Sequence, residues 1–187
     1  GKSAPHNRYN PGGVDFQLIV LIYFHIFVML LTLIGINMST YTQILYQIVF
    51  GSKHYTKFLN SENQDRLFEY IVGVLRKRNC HPYQVGGYAN HIHIITHLST
   101  TITLADLVRD VKKASHEMML RDKKLFTSFP GWQVGYGAFT YNISMKPVLI
   151  KYVQNQEKHH RKVSYKEELT GLLNKNMIPF KEEYFLV

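Results

Sequence analysis

Residues 81–98 read HPYQVGGYANHIHIITHL, and this stretch decides the fold. His81 to Ala89 and His91 to Leu98 are rich in β-branched and aromatic residues, with Asn90 between them. That pattern predicts two strands joined by a tight turn. Along a strand, side chains alternate between faces, so His91, His93, Ile95 and His97 share one side. Ile92 and Ile94 point the other way and read as core.

The flanking sequence supplies partners for this hairpin. On its N-terminal side, Tyr41 to Phe50 (YTQILYQIVF) reads as a strand with Ile44, Tyr46, Ile48 and Phe50 on one face. Ser61 with Gln64 forms a capping box, and Leu67, Tyr70, Ile71, Val74 and Leu75 then recur at helical spacing. That helix ends in the basic run Arg76-Lys77-Arg78. On the C-terminal side, Thr103 with Asp106 opens a second helix with Leu104, Leu107, Val108, Val111 and Met118 on its apolar face. Its other side carries Arg109, Lys112, Lys113 and Arg121. Trp132 to Ser144 (WQVGYGAFTYNIS) reads as a fourth strand with a glycine-permitted kink. Pro147 suits the first turn of a third helix running to about His159. Ser164 with Glu167 caps a fourth, short helix to about Asn176. The order is β-α-β-β-α-β followed by helices. This predicts an α+β, ferredoxin-like split βαβ sandwich, with an antiparallel sheet covered by helices on one face.

The chain has 187 residues, with 22 Lys and Arg against 13 Asp and Glu, a net charge of +9. Apolar residues make up 45%, enough for a real core, which excludes a disordered or collagen-like chain. The single cysteine, Cys80, excludes an intramolecular disulfide framework and a four-cysteine zinc site. The basic excess points to a polyanion or an anionic membrane surface. Phe16 to Ile36 is an uncharged apolar run with the length to cross a bilayer as a helix. It reads as a membrane anchor, a signal-like segment, or upstream sequence before a true start at Met38. A signal peptide fits poorly, because no small-residue cleavage site follows. The expected organisation is an apolar extension over 1–37 and a folded domain over 38–187. Residues 1–37 contribute only one net positive charge (Lys2, Arg8, Asp15), so the basic character belongs to the domain.

Three groups of residues can carry chemistry. His91 and His93 project together and can hold a divalent cation with positions left open for substrate. The plainer reading is two polar residues on a solvated sheet face. Tyr152 and Gln156 lie four apart in YVQNQEKHH, so on a helix they stack on one face. Gln156 offers a carbonyl oxygen beside two histidines, and Tyr152 a phenolic oxygen able to attack phosphorus. The plainer reading is an amphipathic tyrosine at a helix edge. Lys53, Lys57, Arg76–Arg78, Lys112, Lys113, Arg121, Lys123, Lys124, Arg161 and Lys162 are interleaved with aromatics, as in single-stranded nucleic-acid binders. Each basic cluster reads equally well as a solvated helix face. His159 and His160 can touch phosphate or add weak metal affinity, and are expected at most to support the site from behind. No P-loop, G-x-G-x-x-G after a strand, G-x-S-x-G or H-E-x-x-H motif is present.

Taken in order, the HIH strand, the basic helix, WQVGYGAF, YVQNQEKHH and SYKEEL resemble the single-tyrosine HUH transposases. These are the small TnpA-type enzymes of bacterial and archaeal insertion sequences. The likeness spans about residues 39–187, and the apolar segment before Met38 is not part of the family pattern. The resemblance implies that His91, His93 and Gln156 bind a divalent cation, Mg2+ or Mn2+, and that Tyr152 is the nucleophile. It implies cleavage and rejoining of single-stranded DNA through a 5′-phosphotyrosine, at hairpins near element ends. It also implies a homodimer in which the tyrosine helix can complete the partner's histidine site, and a cytoplasmic location. Arg76, Lys77, Arg78, Lys112, Lys113, Arg161 and Lys162 are the expected DNA contacts. The competing readings are a replication-initiator or relaxase nickase, a non-catalytic single-stranded nucleic-acid-binding module, and a membrane-anchored protein.

Overall fold

The computed structural model describes residues 16–33 and 41–181. They fall into two units, divided after Tyr41. The first holds one helix, α1 (Phe16–Leu33), with no acidic residue in its first turn and no basic residue in its last. At about 1.5 Å per residue it is roughly 27 Å long, against about 30 Å of bilayer hydrocarbon. Among the described residues, no helix is long and apolar enough to cross a membrane. The expected extension over 1–37 otherwise lies outside the described residues.

The second unit runs β1 (Leu45–Gly51), α2 (Gln64–Lys77), β2 (His81–Tyr88), β3 (His91–His97), α3 (Leu104–Arg121), β4 (Gly137–Tyr141), α4 (Lys146–Gln154), α5 (Gln156–His159) and α6 (Tyr165–Lys175). The four strands form one antiparallel sheet in the order β2-β3-β1-β4. The βαββαβ order read from the sequence is therefore the fold.

Several boundaries follow predicted signals. Thr103 accepts from the Asp106 amide at the start of α3. Ser164 and Glu167 form the full capping box of α6. Pro147 sits in the first turn of α4. The Ser61 capping box does not form, and α2 starts two residues later, after Asn63. The reason is a local asparagine pair. Asn60 Oδ1 accepts from the Asn63 amide at 3.1 Å, and Asn63 Oδ1 accepts from the Asn60 amide at 2.9 Å. Asn63 Nδ2 also donates to the Phe58 and Leu125 carbonyls, which fixes the turn to the core. The predicted fourth strand shortens to five residues because Gly131 and Gly135, at φ 108° and 82°, bend the chain before it.

The sheet is covered on both faces, which corrects the expectation of one. On one face Ile48, Phe50, Ile92 and Ile94 pack with Leu67, Ile71 and Leu75 of α2, Val111 and Met119 of α3, and Trp132. On the other, Leu45 and Ile95 pack with Leu149 and Val153 of α4, and Val49 and Phe139 with Tyr165 and Leu169 of α6. Each such aliphatic side chain contributes about 1.5–3 kcal/mol through burial. The C-terminal helices thus form a second layer over the histidine face of β3.

The β2–β3 turn is Ala89-Asn90, with Ala89 at φ 53°. That region costs a non-glycine residue about 1–2 kcal/mol. It is offset by anchoring: the Ala89 carbonyl accepts from the Phe58 and Leu59 amides, and the Asn90 carbonyl from the Ser52 amide. The turn is therefore held rigid immediately before His91.

Candidate metal and nucleophile site

The second helical layer turns the histidine face of the sheet into an interior. His91 and His93 are each 0% exposed, which removes the solvated-face reading. Their rings meet edge to face at 5.1 Å. Each also has a fixed neighbour. His91 Nδ1 lies 3.1 Å from Asn90 Oδ1, and the ring stacks on Tyr165 at 4.4 Å and 7°. His93 Nδ1 lies 3.2 Å from Gln47 Nε2, and Tyr141 donates to Gln47 Oε1 at 2.9 Å.

Tyr152 and Gln156 reach the same spot from separate short helices. The predicted continuous helix breaks at Asn155 (φ −97°, ψ 18°), which caps both α4 and α5. Both side chains still face the histidines. Gln156 Oε1 lies 3.0 Å from His91 Nε2, and the Tyr152 ring lies 5.7 Å from that of His93. One chain brings all four predicted residues together.

Two further residues join them. Glu168, on the inner face of α6, is 6% exposed. It accepts hydrogen bonds from the Tyr152 hydroxyl and, at 3.0 Å, from Gln156 Nε2. Its other oxygen lies 3.2 Å from His93 Nε2 and 3.4 Å from the Nε2 atoms of His91 and His160. His160 Nε2 lies 3.1 Å from His91 Nε2 and 2.9 Å from Gln156 Oε1. Its Nδ1 faces the Val163 carbonyl at 2.6 Å. His159 Nε2 is buried without a hydrogen-bond partner, 3.5 Å from the Glu168 carboxylate.

Electrostatics follow from this crowding. Burial, with His93 next to it, pushes His91 down to about 3, so it is neutral at physiological pH. Burial alone would raise Glu168, but its hydrogen bonds to His160 and His93 outweigh that and hold it below the usual carboxylate range. Burial opposes protonation of His160, yet the Glu168 carboxylate and the Val163 carbonyl raise it overall. Burial and the adjacent Glu168 charge both raise the Tyr152 phenol. Without a cation, therefore, the phenol keeps its proton.

The donor chemistry fits a divalent cation. His91, His160 and Glu168 each offer one ligand atom, all within 4.8 Å of one another. His91, His93 and Gln156 were predicted, whereas His160 was placed behind the site and Glu168 was missed. Glu168 had a readable signal: it shares the apolar stripe of α6 with Tyr165, Leu169 and Leu172, where a lone carboxylate needs a partner.

The basic residues divide by layer. Arg76 and Lys77 lie on α2, Arg78 caps its C-terminal end, and Lys112 and Lys113 lie on α3, across the sheet from the histidines. Arg78 pairs with Asp110 at 2.7 Å. The Lys112 ammonium donates to the Gln133 and Gly135 carbonyls and lies 4.8 Å over the Phe50 ring. These contacts tether α3 to the segment before β4. Arg161 and Lys162 follow α5 beside the site, and Arg161 pairs with Glu157 at 3.2 Å. A cleft of about 610 Å³ flanks the edge strand β2 and leads from Lys57 and Asn60, past Tyr88, to Gln156.

The sequence model of the family described as Transposase IS200 like matches residues 40–156. His160 and Glu168 lie beyond that match. The structure is similar to a crystal structure of a candidate transposase from Deinococcus radiodurans R1, at 17% identity and TM-score 0.51, covering 63% of this chain and 95% of that one. It is also similar to a REP-associated tyrosine transposase bound to a REP hairpin, at 19% identity and TM-score 0.47, covering 67% and 76%. No curated protein sequence matches the chain.

Proposed function

The chain belongs to the IS200-like transposase family, and from that premise we propose that it cleaves and rejoins single-stranded DNA through a covalent link to Tyr152. One observation carries this reading: the Tyr152 phenol lies within one buried cluster of two strand histidines, a glutamine and a carboxylate. A structural tyrosine needs no such company.

His91, His93 and Gln156 are the residues proposed to hold the cation, Mg2+ or Mn2+, with Glu168 and His160 adjoining. A bound divalent cation supplies positive charge to a phosphate oxygen and offsets the carboxylate beside the phenol. The chain's own groups do the rest. The Tyr152 oxygen attacks the scissile phosphorus, and its proton passes to the Glu168 oxygen that already accepts it. The bond from phosphorus to the 3′ oxygen breaks, and that oxygen takes up the proton held by Glu168, giving a free 3′-hydroxyl and restoring the carboxylate. The product is a 5′-phosphotyrosine. Attack by another 3′-hydroxyl reverses the step and joins strands without an external energy source.

The cleft beside β2 offers a single strand a route to Gln156, with Lys57 for phosphate and Tyr88 for stacking. The proposal takes hairpins at element ends as the substrate, a homodimer as the working form and the cytoplasm as the compartment. Incubating the full chain with labelled single-stranded DNA from the flanks of its own gene, with and without Mn2+, tests the activity. Metal-dependent cleavage that leaves a 3′-hydroxyl supports it. Binding without cleavage across several flank sequences favours a non-catalytic module.

A further inference from the structure

Four ligand atoms face one another at the centre of the site. They are His91 Nε2, His160 Nε2, Gln156 Oε1 and Glu168 Oε2. The distances among the first three are 2.9–3.1 Å, and Glu168 Oε2 lies 3.4 Å from both histidines. Their hydrogen-bonding roles are set by what lies behind them. His91 Nδ1 faces the Asn90 side-chain carbonyl and His160 Nδ1 the Val163 carbonyl. Both partners only accept, so both Nδ1 atoms carry the hydrogen and, in the neutral rings, both Nε2 atoms present lone pairs. Gln156 spends its amide nitrogen on Glu168, which turns its oxygen inward. The four atoms therefore converge on one buried point, where a cation would take up their lone pairs.

The spacing matches a coordination shell. Ligands about 2.0–2.1 Å from a shared ion, at tetrahedral or octahedral angles, lie roughly 2.9–3.4 Å apart. Stacking holds the rings in place: Tyr165 on His91, and Tyr88 on His160 with planes 3° apart. His93 borders the cluster through Glu168.

We infer that His160 and Glu168 are ligands of the cation beside His91, His93 and Gln156, giving a buried, imidazole-rich set that prefers a first-row transition-metal ion to Mg2+. The inference rests on the proposed function for its cation at His91 and Gln156, and widens that donor set with residues beyond the family match. Imidazole nitrogen favours Mn2+, Co2+ and Zn2+, whereas Mg2+ favours oxygen ligands and retains its waters. Glu168 then touches both the cation and the Tyr152 hydroxyl, which ties nucleophile and metal site together.

The test is titration of the full chain with Co2+, followed by its visible absorption band and by calorimetry, with Zn2+ and Mg2+ as competitors. One Co2+ per chain is expected, displaced by Zn2+ and retained against equimolar Mg2+. Glu168→Gln and His160→Gln are each expected to weaken Co2+ binding at least tenfold and to change the band, while Tyr152→Phe retains it. Metal-free melting curves identify any variant that fails to fold, and the other then decides. If both folded variants bind Co2+ like the parent while His91→Ala does not, the wider donor set is wrong and the proposed function stands. If His91→Ala also binds like the parent, the cation site of the proposed function fails with it. Displacement of Co2+ by equimolar Mg2+ overturns the stated preference.

Discussion

The Tyr152 hydroxyl donates to the Glu168 carboxylate, joining two residues sixteen positions apart, on α4 and α6. The same carboxylate accepts from Gln156 and lies against His91, His93 and His160. The nucleophile and the candidate ligands therefore share one buried anion. What happens to that charge governs whether the phenol can react.

Gly86 controls how closely the tyrosine helix approaches the sheet. A Cβ there would lie 2.7 Å from Val153 Cγ1 and 3.2 Å from the Val153 carbonyl oxygen, next to Tyr152. Gly86→Ala is expected to destabilise the fold by about 1–3 kcal/mol through overpacking. It should also reduce DNA cleavage more than tenfold, since a shift of about 1 Å misplaces the nucleophile. Urea unfolding and a cleavage assay check both.

Lys112 and Arg76 separate packing from DNA binding. Lys112→Met removes two hydrogen bonds from a charged donor and should cost about 2 kcal/mol of stability, with DNA affinity unchanged. Arg76→Ala and Lys77→Ala, both exposed on α2, should leave stability within about 0.5 kcal/mol. Each should reduce the slope of log affinity against log salt by about 0.7 on a single strand. Fluorescence anisotropy at several salt concentrations reads the difference.

Metal-free stability should depend on pH in two directions. His91 is lowered in the folded chain to about 3 from 6.5. Its stabilisation is fully present above 6.5 and is lost as pH falls toward 3, because the unfolded chain takes up the proton first. Glu168, held below its usual value, adds loss in the same direction. His160 is raised, so its contribution is present below 6.5 and is lost as pH rises through its folded value. The melting temperature should therefore peak near pH 6.5. His91→Gln should flatten the acid limb and His160→Gln the alkaline one. A flat profile between pH 4 and 6.5 would contradict the buried, neutral state of His91.

Much of the fold was legible because local and tertiary signals agree. The HIH alternation set the register of β3, and Thr103 and Ser164 capped helices where expected. The start of α2 was misread because the Asn60–Asn63 pair, tied to Leu125 far along the chain, outcompetes a local capping box. The second helical layer was missed because alternation along β3 distinguishes faces but not whether both are buried. The predicted residues Tyr152, Gln156, His91 and His93 do come together. Glu168 was hidden because its partners are distant in sequence, and only its place on an apolar stripe marks it.

The most direct measurement is peptide mapping of the product formed by the full chain with single-stranded DNA from its own flanks in Mn2+. The account predicts a denaturation-resistant adduct carried by the peptide containing Tyr152, lost in Tyr152→Phe and in His91→Ala. An adduct that persists in Tyr152→Phe, or maps to another residue, would contradict it.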